Sequence, residues 1–547
     1  MRFDPFAHWH VPGSCRGAAG VRLSDLQAVA AAAGAPAERR GDAYVVDLSE
    51  DSRSVRPGWM FAAVRGAHCD GHDRAADAVA AGAAALMVER FLDLPVPQLR
   101  VGSTRAALGA VAAAAHGDPS HHLALVGITG TNGKTTLAYL AVAGCEGAGI
   151  RTGMIGTVET RMAGQAVPSM LTTPAAPDLQ RTLARMRTRG ADAVVMEVSS
   201  HALDQSRVAG CRFAVSVFTT LEPEHLDYHG TMGHYYASKA KLFDPGATAA
   251  AVICVDGWWG RRLAHQVAVP LLTYGRDGTG ADVRYRSRSC GPDGIEVAVQ
   301  GRTGSRTIRS AVVGTHNAAN VVGAYLAALQ LGADAEEAAR GIAGCPRPPG
   351  RFELVNAGQD FLIVADYAHT PGSLGLLIAA ARQLTGPGGQ VRLVVGARGG
   401  RDRYKRQDLA RAAAGADRAV ITTDNPGGED PSSIIAQLRA GLVGFDADHV
   451  AIEPDRVRAI RWAVQGAGPG DVVVVAGRGH ETTIRMADRV VILDDRQVAA
   501  DAVRRYARPA AAPAPLGGAP APLGGAPAPG ARVGSPGVRE RHSCVDL

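Results

Sequence analysis

A glycine-rich segment, GITGTNGKTT at 127–136, carries the clearest chemistry in the chain. Apolar residues 123–126 precede it and Ala- and Leu-rich residues 137–143 follow it, which predicts a loop between a β-strand and an α-helix. Glycines allow the backbone of such a loop to direct N–H groups at phosphate oxygens. Lys134 is then expected to reach the β- and γ-phosphates, and the Thr135 hydroxyl to ligate Mg²⁺. We therefore predict an ATP-binding loop made of Gly130, Thr131, Asn132, Gly133, Lys134, Thr135 and Thr136.

The loop departs in one place from the strict P-loop pattern. That pattern has glycine where this chain has Ile128, and Gly127 lies one residue early. The alternative is a glycine-rich turn that only precedes a helix, but Gly-Lys-Thr-Thr directly after a strand favours nucleotide binding.

Candidate magnesium ligands follow in the same part of the chain. Glu197 ends an apolar run, where a carboxylate can hold the Mg²⁺ that bridges two phosphates of ATP; a buried glutamate paired with an arginine is the alternative. His225, Asp227 and His229 are spaced by two, so an extended segment would present them on one side. This spacing fits either a metal cluster or a polar capping loop. The context of Lys239 alone predicts a solvated helix face.

The last third of the chain repeats the pattern of a strand followed by a polar loop. Asp366, the pair Asp424 and Asn425, and Glu481 all follow apolar runs, and ligands of open α/β sheets bind in such loops. Asn425 and Glu481 are predicted to hold both ends of an amino acid. Arg401 is predicted to supply a positive counterpart.

Composition bounds the class of protein. The 547 residues are 46% hydrophobic and 20% charged, and helical and strand patterns alternate, which predicts an α/β fold of about three or four domains. There is no apolar run of about 18 residues and no apolar segment after a basic start, so we expect neither a membrane span nor a signal peptide. The eight cysteines form no C-x-x-C pair, which favours reduced thiols in a cytoplasmic enzyme. The basic residues are dispersed, so no nucleic-acid partner is expected.

Shifts in composition predict the domain boundaries. Residues 1–121 form an N-terminal domain, of which 1–20 are loosely ordered, and 122–345 form the central P-loop domain. A Pro-rich stretch then opens a C-terminal domain at 346–507. Residues 508–547 contain the repeat Ala-Pro-Leu-Gly-Gly-Ala-Pro twice and few large apolar side chains, which predicts a disordered tail.

Taken together, these stretches resemble the Mur ligase family, and most closely its MurE type. The motifs TGTNGKTT, EVSSHAL, HLDYHG, HNAAN, PGRFE, DYAHTP, DNP and GRGHE occur in the family's order, and the resemblance covers about residues 45 to 505. It implies an N-terminal UDP-substrate-binding domain, a central P-loop ATPase domain and a C-terminal Rossmann-like, amino-acid-binding domain. It also implies an activity in peptidoglycan synthesis that uses ATP and Mg²⁺. The enzyme, expected to be a monomer, would add the third amino acid to UDP-N-acetylmuramoyl-L-alanyl-D-glutamate through an acyl phosphate.

The resemblance also implies roles for individual residues. The catalytic group is Lys134, Glu197, His225 and Lys239. Magnesium would be held by Thr135, Glu197, His225 and Lys239, the last in a carbamylated form that turns an ammonium into a carboxylate-like ligand. The loop is joined in binding ATP by Asn320, Arg351 and Asp366. The residues matched to the UDP-muramoyl-dipeptide are Ser52, Thr172, Thr173, Ser199, Gln205 and Arg207. Those matched to the incoming amino acid are Arg401, Asp424, Asn425, Pro426, Gly427, Gly477 and Glu481.

One departure from the family pattern affects the substrate. Family members that add diaminopimelate usually have arginine where this chain has Gly427, and losing its contact with a buried far carboxylate costs about 2–5 kcal/mol. The third residue is therefore left open among diaminopimelate, lysine, ornithine and a small neutral amino acid. Further departures allow an amide ligase of this fold that acts on another acid in specialised metabolism; they are Thr220, Glu224, Gly372 and Arg478. A non-catalytic nucleotide-binding module is disfavoured because the catalytic group is retained.

Overall fold

The computed structural model describes residues 20–34, 36–66, 69–442 and 449–506. The predicted loose start, residues 1–20, lies outside these ranges except for Gly20. The predicted disordered tail, 508–547, lies wholly outside them.

The N-terminal part is a five-stranded sheet with helices around it. Its strands lie in the order Ala37–Arg40, Gln98–Val101, Ala85–Val88, Trp59–Ala62 and Asp47–Ser49. Only the first of these strands is antiparallel to its neighbour. The α-helices are Leu23–Ala32, Ala75–Ala80 and Thr104–Ala115, the 3₁₀ turns are Ser52–Ser54 and Gly71–Arg74, and Val21–Arg22 pairs with Tyr44–Val45.

The central part is an 11-stranded sheet. Its strands lie in the order Gln165–Pro168, Glu159–Met162, Thr152–Ile155, Ala193–Glu197, Ala124–Thr129, Phe213–Phe218, Ala251–Cys254, Leu271–Arg276, Val283–Gly291, Gly294–Gly301 and Gly304–Ser310. The middle of the sheet is parallel and both edges are antiparallel. The helices are Lys134–Gly147, Ala176–Thr188, Ser200–Asp204, Leu226–His229, Met232–Ala240, Trp258–Gln266, Asn317–Gln330 and Ala335–Gly344, with 3₁₀ turns Pro119–His121 and Lys241–Phe243.

The strand order of the central sheet places a binding crevice at the predicted phosphate loop. Ala124–Thr129 lies between Ala193–Glu197 and Phe213–Phe218, and all three run parallel. After Ala124–Thr129 the next strands are added on one side of it in the strand order, and from Phe213–Phe218 onward they are added on the other side. At such a reversal the loops at the carboxyl ends of the strands separate and leave a crevice. The loop at 130–133, Ser199 and Thr219 therefore meet at one edge.

The C-terminal part is a six-stranded sheet. Its strands lie in the order Glu353–Leu354, Leu362–Asp366, Val472–Ala476, Val391–Ala397, Arg418–Thr423 and Val450–Ile452, and all but the first are parallel. The helices are Pro371–Arg382, Arg406–Ala413, Pro431–Arg439, Arg456–Gln465 and Asp495–Tyr506. The 3₁₀ turns are Arg403–Lys405 and Ala440–Leu442, and Thr483–Arg485 pairs with Val490–Ile492.

Small residues let the helices Lys134–Gly147 and Ala335–Gly344 pack closely against each other. A Cβ on Gly147 would lie 2.7 Å from the Cα of Gly341, and a Cβ on Gly341 would lie 2.1 Å from the carbonyl oxygen of Ala143. The predicted α/β class is confirmed, while the domain boundaries stay predictions. None of the helices described between residues 20 and 506 combines the length and apolar character that a membrane crossing requires.

Candidate active site

The phosphate loop is a tight turn that only glycine accommodates at two positions. Gly130 and Gly133 have φ angles of +152° and +88°. A Cβ on Gly130 would lie 1.9 Å from Thr219 Oγ1, and one on Gly133 would lie 2.2 Å from Asn320 Oδ1. The turn leads directly into the helix Lys134–Gly147, so the free N–H groups of the helix terminus face the same crevice.

Two lysine amines converge on this loop. Lys134 Nζ and Lys239 Nζ donate to the same carbonyl oxygen, that of Gly130, at 2.8 Å and 2.9 Å. Lys239 is 1% exposed, so the solvated helix face expected from its context is wrong; it lies over the Tyr235 ring at 4.7 Å instead. Burial, together with the charge of Lys134, lowers the pKa of Lys239 well below its usual value. Burial also lowers the pKa of Lys134.

Glu197 is held by threonines. Its side chain is 1% exposed. Oε2 accepts hydrogen bonds from Thr135 Oγ1 and Thr157 Oγ1, both at 2.9 Å, and Oε1 accepts one from the Thr157 N–H at 2.8 Å. Within the described residues no arginine contacts this carboxylate, so the alternative of a buried glutamate–arginine pair does not apply.

The oxygen atoms around Glu197 are the ligands that Mg²⁺ prefers. The Thr135 hydroxyl and the Glu197 carboxylate already lie in contact, and hard divalent cations take such oxygen donors. Arg351, which lies just before the C-terminal sheet, donates from Nη2 to the same hydroxyl at 3.0 Å. The residues present therefore fit a magnesium ion with the phosphates of a nucleotide beside it.

A second group of candidate cation ligands lies nearby, with a different membership from the one considered from sequence. The ligand atoms of His225, Asp227 and Asp402 lie within 4.8 Å of one another. Asp402 is 4% exposed, and its Oδ1 has no hydrogen-bond partner among the described residues. His229 is not in this group, because its buried ring turns to the Ser200 hydroxyl, 3.0 Å away. A residue of the C-terminal part thus takes the place considered for His229.

Glu224 ties this group to the C-terminal part. It accepts a hydrogen bond from His369 Nε2 at 3.0 Å and lies 3.8 Å from Lys405 Nζ. Lys405 also binds Asp402 at 3.1 Å. Burial raises the pKa of Glu224, but the hydrogen bond from His369 and the surrounding charges outweigh burial and lower it.

Residues matched to the UDP-muramoyl-dipeptide form a continuous patch beside Glu197. Thr173 Oγ1 donates to the carbonyl of Glu197 at 2.8 Å and accepts from the N–H of Ser199 at 3.0 Å. Arg207 donates to the carbonyl of Thr173 at 3.0 Å and to Gln205 Oε1 at 2.6 Å. Thr172 joins the patch through its contact with Thr157 at 3.2 Å. Ser52 lies in the N-terminal part, and in the described residues no hydrogen bond joins it to this patch.

Residues matched to the incoming amino acid also meet. Asn425 Nδ2 donates to Glu481 Oε2 at 2.8 Å and to Asp424 Oδ1 at 3.1 Å. Gly427 and Gly477 contribute backbone contacts, since their N–H groups donate to the carbonyls of Arg485 and Asp366, at 2.9 Å and 3.0 Å. Pro426 lies against the neighbouring loop, where a Cβ on Gly399 would be 1.8 Å from its oxygen.

One cavity of about 500 Å³ joins the central and C-terminal residues. Its walls include most of the predicted ATP-binding residues, together with Glu197, His225 and the exposed Arg401. Asn320 and Asp366 line it as well; Asp366 is held by the N–H groups of Phe352 and Ala368, both at 2.7 Å.

Sequence reasoning did not single out Thr157, Arg398 and Asp402, which are among the residues that line this cavity. Thr157 closely follows the strand Thr152–Ile155, and Arg398 directly follows Val391–Ala397. Their positions after strands could have indicated a ligand-binding loop. The partners of their side chains are distant in sequence and could not be predicted from it.

Three parts of the chain match models of Mur ligase domains. Its residues 47–116 match the model of the Mur ligase family catalytic domain, 128–328 the Mur ligase middle domain, and 350–479 the Mur ligase glutamate ligase domain. Two similar sequences are named UDP-N-acetylmuramoyl-L-alanyl-D-glutamate–2,6-diaminopimelate ligase. The one from Streptomyces coelicolor is 42% identical over 476 residues (85% of this chain and 94% of the relative), and the one from Geobacillus thermodenitrificans is 41% identical over 474 residues (85% and 96%).

Solved structures give the same result. A structure of a UDP-N-acetylmuramoyl-L-alanyl-D-glutamate–2,6-diaminopimelate ligase matches with a TM-score of 0.62 and 28% identity, covering 85% of this chain and 96% of that one. The MurF ligase from Thermotoga maritima in complex with ADP matches with a TM-score of 0.58 and 19% identity, covering 84% and 96%. The second likeness, at that identity, supports the fold alone.

Proposed function

Because this chain belongs to the Mur ligase family, we propose that it is an ATP-dependent ligase that adds an amino acid to UDP-N-acetylmuramoyl-L-alanyl-D-glutamate. The family suggested by the motifs is confirmed. Relatives about 40% identical are named for that nucleotide-dipeptide and for 2,6-diaminopimelate, which supports a role in peptidoglycan synthesis. The observation that carries the proposal is the meeting of Lys134, Thr135 and Glu197 at the phosphate loop, with Arg351 reaching the same Thr135 hydroxyl.

The reaction has two chemical steps. The free carboxylate of the dipeptide attacks the γ-phosphorus of ATP, which forms an acyl phosphate and releases ADP. The amine of the incoming amino acid then attacks the acyl carbon, and the tetrahedral intermediate expels phosphate and loses a proton to give the amide. A carboxylate is a poor electrophile, so phosphorylation supplies the leaving group, and the protein must hold three substrates in line.

The residues of this chain contribute to the reaction by neutralising charge and by positioning the substrates. The N–H groups of the loop, Lys134 and Arg351 offset the charge that develops on the transferred phosphoryl group. Bound magnesium would be held by Thr135 and Glu197 and would neutralise phosphate charge. The patch around Thr173 and Arg207 adjoins Glu197, which suits a role in bringing the dipeptide carboxylate to the γ-phosphate.

Lys239 has the chemistry that carbamylation requires. Carbon dioxide adds to a neutral amine with release of one proton, and the lowered pKa of Lys239 favours the neutral form. The product is an anion beside Lys134, and we propose that this carbamate and His225 hold a second magnesium ion. Intact-mass measurement of protein kept in bicarbonate should detect one added carbon dioxide, which Lys239→Met should remove.

Phosphate release tests the proposed activity. Purified protein is given ATP, Mg²⁺, UDP-N-acetylmuramoyl-L-alanyl-D-glutamate and one amino acid at a time: diaminopimelate isomers, lysine, ornithine or a neutral amino acid. We expect phosphate release with one of these amino acids and no phosphate release by Lys134→Ala. The product mass should equal that of the nucleotide-dipeptide plus the amino acid, less one water. If the dipeptide does not bind and no amino acid stimulates release, the acceptor is another acid. The cytoplasmic location and the monomeric state stay predictions.

A further inference from the structure

Arg398, to which the family resemblance assigns no role, lies among the residues matched to the incoming amino acid. Its Nη2 contacts Glu481 Oε1, while Asn425 binds the other oxygen of the same carboxylate at 2.8 Å. Its guanidinium carbon lies 5.2 Å from the centre of the Tyr367 ring. The Arg398 and Glu481 side chains are 22% and 23% exposed, and Arg398 lines the cavity that contains the phosphate loop. A ligand in that cavity therefore has access to the guanidinium.

Two buried polar atoms in this cluster lack partners. Arg398 Nε is a donor without an acceptor, and Asp424 Oδ2 is an acceptor without a donor, among the described residues. Asn425 Nδ2 connects Asp424 to Arg398 indirectly. It binds Asp424, and it also binds Glu481, which Arg398 contacts. Buried polar groups without partners are costly. A ligand end that carries both a carboxylate and an ammonium would bring an acceptor to the Arg398 side of this cluster and a donor to its acidic side.

The position of Gly427 leaves room for such a ligand end. Gly427 has a φ of +58°, and a Cβ placed there would have no atom within 4 Å. The loop of Arg398 packs directly on this segment, since the N–H of Gly399 donates to the carbonyl of Asn425 at 2.9 Å. Arg398 therefore belongs to the loop that packs beside Gly427.

We infer that Arg398 binds the far carboxylate of the incoming amino acid, so that this substrate is a diamino dicarboxylic acid of the diaminopimelate class. Glu481 and Asn425 then face the ammonium group at the same end of the substrate. The inference rests on the proposed function, and among the amino acids that Gly427 left open it selects one with a far carboxylate. Arginine suits this task because its planar fork binds a carboxylate through two parallel hydrogen bonds.

The test compares Arg398→Gln with Arg485→Gln as a matched control. The backbone N–H of Arg485 donates to Asn425 Oδ1 at 3.0 Å, yet its exposed guanidinium forms no hydrogen bond or ion pair with described residues. Steady-state phosphate release is measured with ATP, Mg²⁺ and the UDP-muramoyl-dipeptide while meso-diaminopimelate or lysine is varied. We expect wild-type protein to prefer diaminopimelate and Arg398→Gln to raise its KM for diaminopimelate at least about 30-fold. The KM for ATP should stay within about twofold in both variants, and Arg485→Gln should match wild type.

Arg398→Lys provides a second variant with a smaller structural change. It keeps the positive charge but not the fork, so we expect a KM for diaminopimelate about tenfold above wild type and an unchanged KM for ATP. The inference is overturned if wild type prefers lysine or a neutral amino acid, if both Arg398 variants keep the wild-type ratio of diaminopimelate to lysine, or if the loss appears in Arg485→Gln instead. Failure of the proposed function itself has a different signature, because wild type would then couple no amino acid to the dipeptide.

Discussion

Thr157→Val tests whether the hydrogen bonds from threonines to Glu197 matter for catalysis. Glu197 accepts three hydrogen bonds at 2.8–2.9 Å, one of them from Thr157 Oγ1. Valine has nearly the same shape as threonine but removes that one donor and leaves the backbone N–H. A hydrogen bond to a charged group contributes about 1.5–3 kcal/mol, and about 1.4 kcal/mol corresponds to a tenfold change. We therefore expect the Mg²⁺ concentration at half-maximal rate to rise, or kcat/KM for ATP to fall, by about 10- to 100-fold.

The assay is phosphate release measured across a series of Mg²⁺ concentrations, at saturating dipeptide and amino acid. Thr160→Val is the control, because Thr160 lies three residues away and its hydroxyl contacts Ser169 at 3.4 Å instead of Glu197. It should behave as wild type. Equal Mg²⁺ dependence and equal kcat/KM for ATP in Thr157→Val and wild type would refute the idea that Thr157 orients Glu197.

Three further predictions concern the loop, the metal and the C-terminal sheet. Gly133→Ala should abolish ATP binding in calorimetry, since its Cβ would meet Asn320 Oδ1 at 2.2 Å; Gly149→Ala, with a similar φ but no atom within 4 Å, should keep it. Chelation of divalent cations should stop phosphate release and added Mg²⁺ should restore it, whereas continued release in chelator would contradict the magnesium proposal. Glu429→Gln should lower the free energy of unfolding by about 3 kcal/mol at pH 7, because it leaves the buried Arg406 without its paired carboxylate. Hydrogen bonds from Arg406 lower the pKa of Glu429 to about 2, so this contribution is present above the ordinary pKa of about 4.3 and is lost as pH falls toward 2. Urea unfolding at pH 7 and pH 3 should show the difference between variant and wild type shrinking at the lower pH.

Contiguous features were predictable from sequence alone. The phosphate loop needs glycines, a lysine and a threonine at fixed spacing after a strand, and all of them lie within ten residues, 127–136. The α/β class follows from alternating local patterns, and the family from the order of its motifs. In each case neighbouring residues carry the signal, because backbone geometry and helix or strand periodicity act over short distances.

Only the tertiary structure decided which side chains share a site. Asp402, and not His229, completes the group around His225, because the C-terminal sheet brings a loop of distant sequence against the central one. Lys239 is buried and not solvated, because the helix Met232–Ala240 carries it to the carbonyl of Gly130. Arg398 reaches Glu481 because Val391–Ala397 and Val472–Ala476 are adjacent parallel strands, whose carboxyl ends meet at one edge of the sheet. Strand order sets such contacts, and a single sequence does not reveal which strands lie side by side.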